Sequence, residues 1–265
     1  MNDSAPITIS RLQEMKRQGE KIAMLTCYDA TFAGTMDQAG VDIILIGDSL
    51  GMVVQGGDST VGVSVEDIAY HTTCVANGVE KAFVLTDMPF GSYHDEITAM
   101  ENAVDLLSAG GAMVKLEGAG PMVSIVDYLT SRGVAVCAHL GLTPQSVNQL
   151  GGFKVQAREQ EDARQLLEDA LAMQQAGAQM LVLECVPAAL GRSVSERLDM
   201  PVIGIGAGAG CDGQVLVMHD MLGLGRRVPK FVANFMHGSG NIHAAFEKYV
   251  SDVRSGAFPA QEHEY

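Results

Sequence analysis

The 265-residue chain contains no tryptophan, and aromatic residues of any kind make up only 5% of it. Basic charge is also scarce. Seventeen Lys and Arg stand against 32 Asp and Glu, for a formal net charge of −15. That balance excludes a nucleic-acid scaffold, which needs a concentrated positive field to hold phosphates, and it excludes adhesion to an anionic membrane surface. No apolar run approaches the roughly 20 residues that a spanning helix requires. Met1 to Pro6 is short and polar, and Ile7 to Leu12 offers neither a long apolar core nor a small-residue cleavage site, so no secretory leader is expected. The five cysteines (Cys27, Cys74, Cys137, Cys185 and Cys211) are far apart and form no C-x-x-C pair. Cys27, Cys137 and Cys185 lie in or just after apolar runs, as small core residues do, and a reduced, cytoplasmic protein is expected. What remains is a composition 47% hydrophobic and 18% charged, which forms a core. Its 30 glycines and 15 methionines suit many short elements and tight turns.

Short apolar runs recur along the chain, most of them followed by a loop and a helical pattern. They are Ile22–Thr26, Val41–Ile46, Ala82–Thr86, Ala112–Leu116, Val134–Ala138, Gln179–Leu183, Pro201–Ile205 and Gln214–Met218. Helical patterns follow at Ala30–Gln38, Val65–Val79, Glu96–Ser108, Met122–Ser131, Glu159–Gln175 and Ala188–Leu198. The runs are nearly continuous in apolar residues rather than alternating, as strands covered on both faces are. Helices between such strands imply right-handed βαβ units. Eight units in about 200 residues predict an α/β fold, a (β/α)₈ TIM barrel, with a doubly wound open sheet as the competitor. Ser10–Gln18 predicts an extra N-terminal helix capping the barrel bottom, and Ile242–Val253 a terminal helix. No linker or short repeat interrupts residues 1–265, which read as a single barrel domain.

Ionisable residues fall at the C-terminal ends of five successive runs: Asp48, Asp87, Glu117 with Lys115 two residues earlier, His139, and Glu184. In a parallel barrel these ends meet at one mouth, the face that carries active sites. Alternation along a strand puts Lys115 and Glu117 on one face, taken as inward. Carboxylates so gathered repel one another unless a cation lies among them. Asp48 and Asp87, with Glu117 nearby, form an all-oxygen set suited to Mg²⁺, which keeps waters and needs few protein ligands. The absence of cysteine or a histidine cluster there weighs against Zn²⁺. Glu184, two strands beyond Glu117, is the best general base for removing a proton beside a metal-polarised carbonyl. Lys115 either neutralises a substrate carboxylate or pairs with Glu117. His139 either donates to the substrate or is a satisfied interior histidine. The stretch Gly204 to Gly210 leads into another strand rather than a helix, so it lacks the context of a dinucleotide fingerprint. It is either a tight turn at the mouth or a close approach of main-chain amides to a ligand.

Several segments together resemble the ketopantoate hydroxymethyltransferase family: Leu25-Thr26-Cys27-Tyr28-Asp29-Ala30, Gly47-Asp48-Ser49-Leu50-Gly51-Met52, Asp87 to Tyr93, Val114-Lys115-Leu116-Glu117-Gly118, His139 to Gln145, and the loop from Gly204 to Gly213. The likeness runs from about Ile9 to Phe258. It implies a (β/α)₈ barrel of the phosphoenolpyruvate/pyruvate-like group. The implied reaction transfers a hydroxymethyl unit from 5,10-methylenetetrahydrofolate to 3-methyl-2-oxobutanoate and gives 2-dehydropantoate, on the route to pantothenate. It further implies that Asp48 and Asp87 bind Mg²⁺ with Glu117 completing the site, that Ser49, Asp87 and Lys115 contact the keto acid, and that Glu184 accepts the proton. A large homo-oligomer, often a decamer, is implied as well, with small molecules rather than nucleic acid or membrane as partners. The Gly-rich loop from Gly51 to Val63 is expected to close over the site. The rivals are an isocitrate-lyase-like enzyme, for which Cys185 and Cys211 near the mouth speak, and a catalytically inactive binding barrel.

Overall fold

Each of the eight apolar runs forms a strand: β1 Ile22–Thr26, β2 Ile43–Ile46, β3 Phe83–Asp87, β4 Met113–Glu117, β5 Val136–Gly141, β6 Met180–Glu184, β7 Val202–Ile205 and β8 Gly213–Leu216. In this computed structural model, which describes residues 5–225 and 228–265, every neighbouring pair is parallel and β8 closes on β1. The expected leader-free start at residues 1–4 lies outside the described residues. The helices are α1 Ile9–Gln18, α2 Ala30–Gln38, α3 Leu50–Val53, α4 Val65–Ala76, α5 Glu96–Ser108, α6 Met122–Thr130, α7 Val147–Leu150, α8 Gln160–Gln175, α9 Ala188–Arg197, α10 Met218–Met221 and α11 Ile242–Ser255. The closed ring is the expected (β/α)₈ barrel, and it excludes the competing doubly wound open sheet. Among the described residues, no helix is long and apolar enough to cross a membrane.

The strands are largely apolar because they are buried on both sides, by the barrel interior and by the helical layer. Ile22, Met24, Leu25, Ile43, Ile44, Val114, Leu116 and Val202 are fully buried. Removing each such side chain from water contributes about 1.5–3 kcal/mol. Helix starts follow their sequence signals. Asp29 caps α2, Ser64 and Asp67 form a reciprocal capping box on α4, and Asp95 caps α5. Helix α1 lies beneath the barrel. Lys16 Nζ reaches Asp212 Oδ2 at 2.6 Å and Ser195 O at 2.8 Å, where the chain enters β8 and leaves α9, and Ile7 N–H donates to Lys81 O ahead of β3.

Several boundaries differ from the sequence pattern for identifiable reasons. Val41 and Asp42 precede β2 because Val41 N–H closes α2 onto Met36 O, and the Asp42 carboxylate takes the Ala23 N–H at 2.8 Å. Helix α4 ends at Ala76, where the chain turns through Gly78. A Cβ on Gly78 would stand 2.3 Å from Ala30 O, so only glycine allows that approach to α2. The first residues of the expected closing loop, 51–53, belong to the short helix α3. No helix separates β7 from β8. Residues 206–212 descend along α9 instead, so close that a Cβ on Gly208 would lie 2.5 Å from the Ala188 methyl and one on Gly210 2.6 Å from Arg192 Cβ. Gly208 and Gly210 therefore serve backbone-to-helix packing.

Candidate active site

The parallel register carries the ionisable residues to one end of the barrel. Asp87 is in register with Lys115, Glu117 with His139, and Glu184 with Ile205. Asp48 follows β2 after Gly47, and its backbone N–H donates to Asp87 Oδ2 at 2.9 Å. Lys115 Nζ lies 2.8 Å from Asp87 Oδ1 and 4.0 Å from Glu117 Oε1. His139 Nδ1 is 3.1 Å from Glu117 Oε1, and its Nε2 is 3.2 Å from Glu184 Oε2. The structure thus brings Asp48, Asp87, Lys115, Glu117, His139 and Glu184 into one connected group. Ser49 joins its edge, with its hydroxyl 2.8 Å from Tyr28 Oη.

The group is buried, with Asp87 only 2% and Lys115 only 3% exposed. The Glu184 side chain is the exception, at 14% exposure, so the expected base sits where the cluster meets solvent. Burial, then the charges of Asp87 and Glu117, push the Asp48 carboxyl up to about 8 against Lys115 and Gln145. Burial likewise raises Asp87, opposed by Lys115. Glu117 goes the other way. Burial would raise it, but His139, Lys115 and the Gln145 N–H together hold it below the ordinary carboxylate range. Burial and Lys115 act to keep His139 neutral, yet the carboxylates on its two sides push it up to about 9. Burial also opposes charge on Lys115, and the carboxylates of Asp87, Glu117 and Asp48 overcome it, raising the amine above its usual value. Lys115 therefore pairs with both acids, and His139 is hydrogen-bonded to Glu117 through Nδ1, while its buried Nε2 lies close to Glu184 Oε2 without a hydrogen bond of good geometry.

Neutral residues outside the expected set hold the acids in place. Gln145 Nε2 donates to Asp48 Oδ2 at 2.9 Å and to Met88 O at 3.0 Å, and its backbone N–H donates to Glu117 Oε2 at 3.0 Å. The Tyr93 hydroxyl donates to Gln145 Oε1 and accepts the Glu117 N–H. Neither carries a charge pattern that sequence reading could detect, although both fall in the quoted segments ending at Tyr93 and Gln145. Cys185, directly after Glu184, has φ +48°, and its carbonyl accepts the Gln156 N–H at 2.8 Å. Cys185 follows Glu184 at the mouth, whereas Cys211, expected there, lies toward the barrel bottom beside Asp212, which binds Lys16 of α1; neither is an activated nucleophile. Burial pushes the Cys211 thiol up to about 12 and raises Cys185 further, which removes the feature that favoured a lyase.

Among the described residues, no group of three or more His, Cys, Asp and Glu side chains is arranged to hold a metal by itself. Asp48, whose backbone N–H donates to Asp87, and Asp87 itself offer oxygen donors only. Asp87 Oδ1 is buried and lacks a hydrogen bond of good geometry, because Lys115 approaches it off axis. A hard divalent ion with few protein ligands fits that pair. Glu117 has both oxygens already engaged by His139 and Gln145.

A family model described as ketopantoate hydroxymethyltransferase matches residues 6–261. The chain is 56% identical over 261 residues to a 3-methyl-2-oxobutanoate hydroxymethyltransferase of Thiobacillus denitrificans, covering 98% of this chain and 100% of that protein. It is 57% identical to the enzyme of the same name from Methylobacillus flagellatus, covering 96% and 98% of the two chains. Among solved structures, it resembles a phosphonopyruvate hydrolase in complex with oxalate and Mg²⁺, with TM-score 0.61, 11% identity, and 79% and 80% of the two chains covered. It also resembles a phosphoenolpyruvate phosphomutase from Streptomyces platensis, with TM-score 0.60, 15% identity, and 80% and 81% covered. At these identities the structural likeness concerns the barrel alone.

Proposed function

The chain belongs to the ketopantoate hydroxymethyltransferase family, and from that membership we propose that it transfers a hydroxymethyl group from 5,10-methylenetetrahydrofolate to 3-methyl-2-oxobutanoate. The product would be 2-dehydropantoate, a precursor in pantothenate biosynthesis. The observation that carries this reading is the buried cluster of Asp48, Asp87, Lys115 and Glu117, joined through His139 to Glu184 at its solvent edge.

Asp48 and Asp87 would hold Mg²⁺, with Glu117 acting on it through water because its own oxygens are occupied. When bound, the ion supplies a Lewis acid that polarises the keto-acid carbonyl and acidifies the neighbouring C3–H. The raised Asp48 carboxyl supports this assignment, since these acids cannot all ionise together without further positive charge. Lys115 supplies a fixed cation for the substrate carboxylate, and Ser49, oriented by Tyr28, offers a hydroxyl to the same group. Glu184 takes the C3 proton through its carboxylate, and His139 beside it holds positive charge close to the proton's destination. Burial would shield C3 from bulk water while it attacks the methylene carbon of the folate iminium. One water would then supply the hydroxyl oxygen as the methylene–nitrogen bond breaks and tetrahydrofolate leaves. Exposed apolar side chains on α4 and α5, Tyr70 at 67% and Ile97 at 65%, support the homo-oligomer that the family resemblance implies.

The test is exchange of the C3 proton of 3-methyl-2-oxobutanoate into deuterated water without folate. The protein supplied with Mg²⁺ should catalyse it, and Glu184→Gln should abolish it while keto-acid binding by calorimetry persists. Undiminished exchange in Glu184→Gln would sink the role of Glu184.

A further inference from the structure

The segment ending in Glu264 and Tyr265 folds across the β6–β7 side of the mouth, a feature that no step above uses. It is tied down at several points. Tyr265 O accepts the N–H of Ala188, the first residue of α9, at 3.0 Å. The Glu264 carboxylate accepts the Ala209 N–H at 2.9 Å, and Lys230 Nζ donates to Glu264 O. The Tyr265 ring is thereby laid over Gly206, one residue past Ile205, the register partner of Glu184. A Cβ on Gly206 would stand 3.1 Å from Tyr265 Cε2 and 2.8 Å from Phe231 Cδ1, so both rings border this backbone. Tyr265 is half-buried, and Phe231 behind it is buried.

Cations border the same ring. Lys230 Nζ is 5.3 Å from its centroid. Arg158 is exposed two residues after Gln156, which hydrogen-bonds Cys185 beside Glu184. Burial, Cys185 and Glu184 raise the Tyr265 phenol while Arg158 lowers it, so all three groups lie within electrostatic reach of it. A half-exposed aromatic ring with the Lys230 ammonium over it and Arg158 within electrostatic reach, beside the base of the reaction, suits a flat heteroaromatic ligand that carries carboxylates.

We infer that Tyr265, held over Gly206 by the anchored chain end, is the wall on which the folate stacks while presenting its one-carbon unit to the keto acid beside Glu184. The inference rests on the transfer reaction proposed above, because it assigns the docking face of that reaction's second substrate. Stacking on one aromatic ring changes binding by roughly five- to a hundredfold. Removing the ring should therefore weaken the folate and spare the keto acid.

The experiment compares the full-length protein with Tyr265→Ala and Tyr265→Phe, in the presence of Mg²⁺. Tyr265→Ala should raise the KM for 5,10-methylenetetrahydrofolate about tenfold or more, leave the KM for 3-methyl-2-oxobutanoate within twofold, and retain folate-free C3 exchange, which also shows that the variant is folded. Tyr265→Phe should behave as the parent. Loss of exchange in Tyr265→Ala would mean that the ring positions Glu184 and would overturn the inference. So would an unchanged folate KM, or a Tyr265→Phe defect as large as that of Tyr265→Ala, which would point to the hydroxyl instead. Absence of exchange in the parent protein would overturn the transfer reading itself, independently of any Tyr265 variant.

Discussion

His139 Nε2 stands 3.2 Å from Glu184 Oε2, while Nδ1 of the same ring is 3.1 Å from Glu117 Oε1. One imidazole thus links the acid at the solvent edge to the acids of the interior. It keeps a positive partner beside the Glu184 carboxylate. Replacing His139 by Gln removes that partner. We expect C3 exchange to fall roughly ten- to a hundredfold, the range typical of groups that orient a reacting side chain or metal ligand. Keto-acid affinity should change little, because Lys115 and Ser49 remain. Exchange by His139→Gln at the parental rate would refute the coupling.

Asp48 and Asp87 differ in what their loss exposes. Asp87 is the 2.8 Å partner of buried Lys115, so neutralising it strands a cation and should cost about 3–5 kcal/mol of stability. Asp48 has Gln145 as its hydrogen-bond donor, and an Asn there still accepts from that amide while removing a like charge from Asp87. Asp48→Asn should therefore keep the thermal stability of the metal-free protein, and its Mg²⁺ affinity by calorimetry should fall at least about tenfold with one anionic ligand gone. Parental Mg²⁺ affinity in Asp48→Asn would remove Asp48 from the metal site.

The barrel and most of its charged cluster were legible in the sequence, because a parallel strand buried on both faces writes itself as an unbroken apolar run and ends where a polar residue can face the mouth. Asp87, Glu117 and Glu184 all stand at the last residue of their strands. Strand starts were less legible. The Val41–Asp42 pair reads as strand, yet the Asp42 carboxylate substitutes for a ladder acceptor by taking the Ala23 N–H. The supports of the site were not legible at all. Gln145 and Tyr93 are neutral loop residues whose meaning depends on the fold of two loops, 52 positions apart, that meet through their side chains. Tyr265 is further still in sequence from Glu184, and only the folded chain places its ring over Gly206.

Gly141 ends β5 beside Glu184, and its lack of a side chain is required twice over. Its φ is +89°, and a Cβ there would stand 2.2 Å from Glu184 O, the carbonyl that accepts the Leu142 N–H at 2.8 Å. Gly133 provides an internal control, with the same φ of +89° and nothing within 4 Å of its Cβ position. Gly133→Ala should therefore lose only the backbone term, about 1 kcal/mol. Gly141→Ala adds a clash with backbone that cannot swing aside, for a total of about 2–5 kcal/mol, or a Tm lower by roughly 5–15 °C for a chain of this size. The clash also pushes on the strand end that carries the base. C3 exchange measured well below Tm should thus drop in Gly141→Ala and not in Gly133→Ala. Equal Tm losses in the two variants, or parental exchange in Gly141→Ala, would show that the β5–β6 contact does not set the position of Glu184.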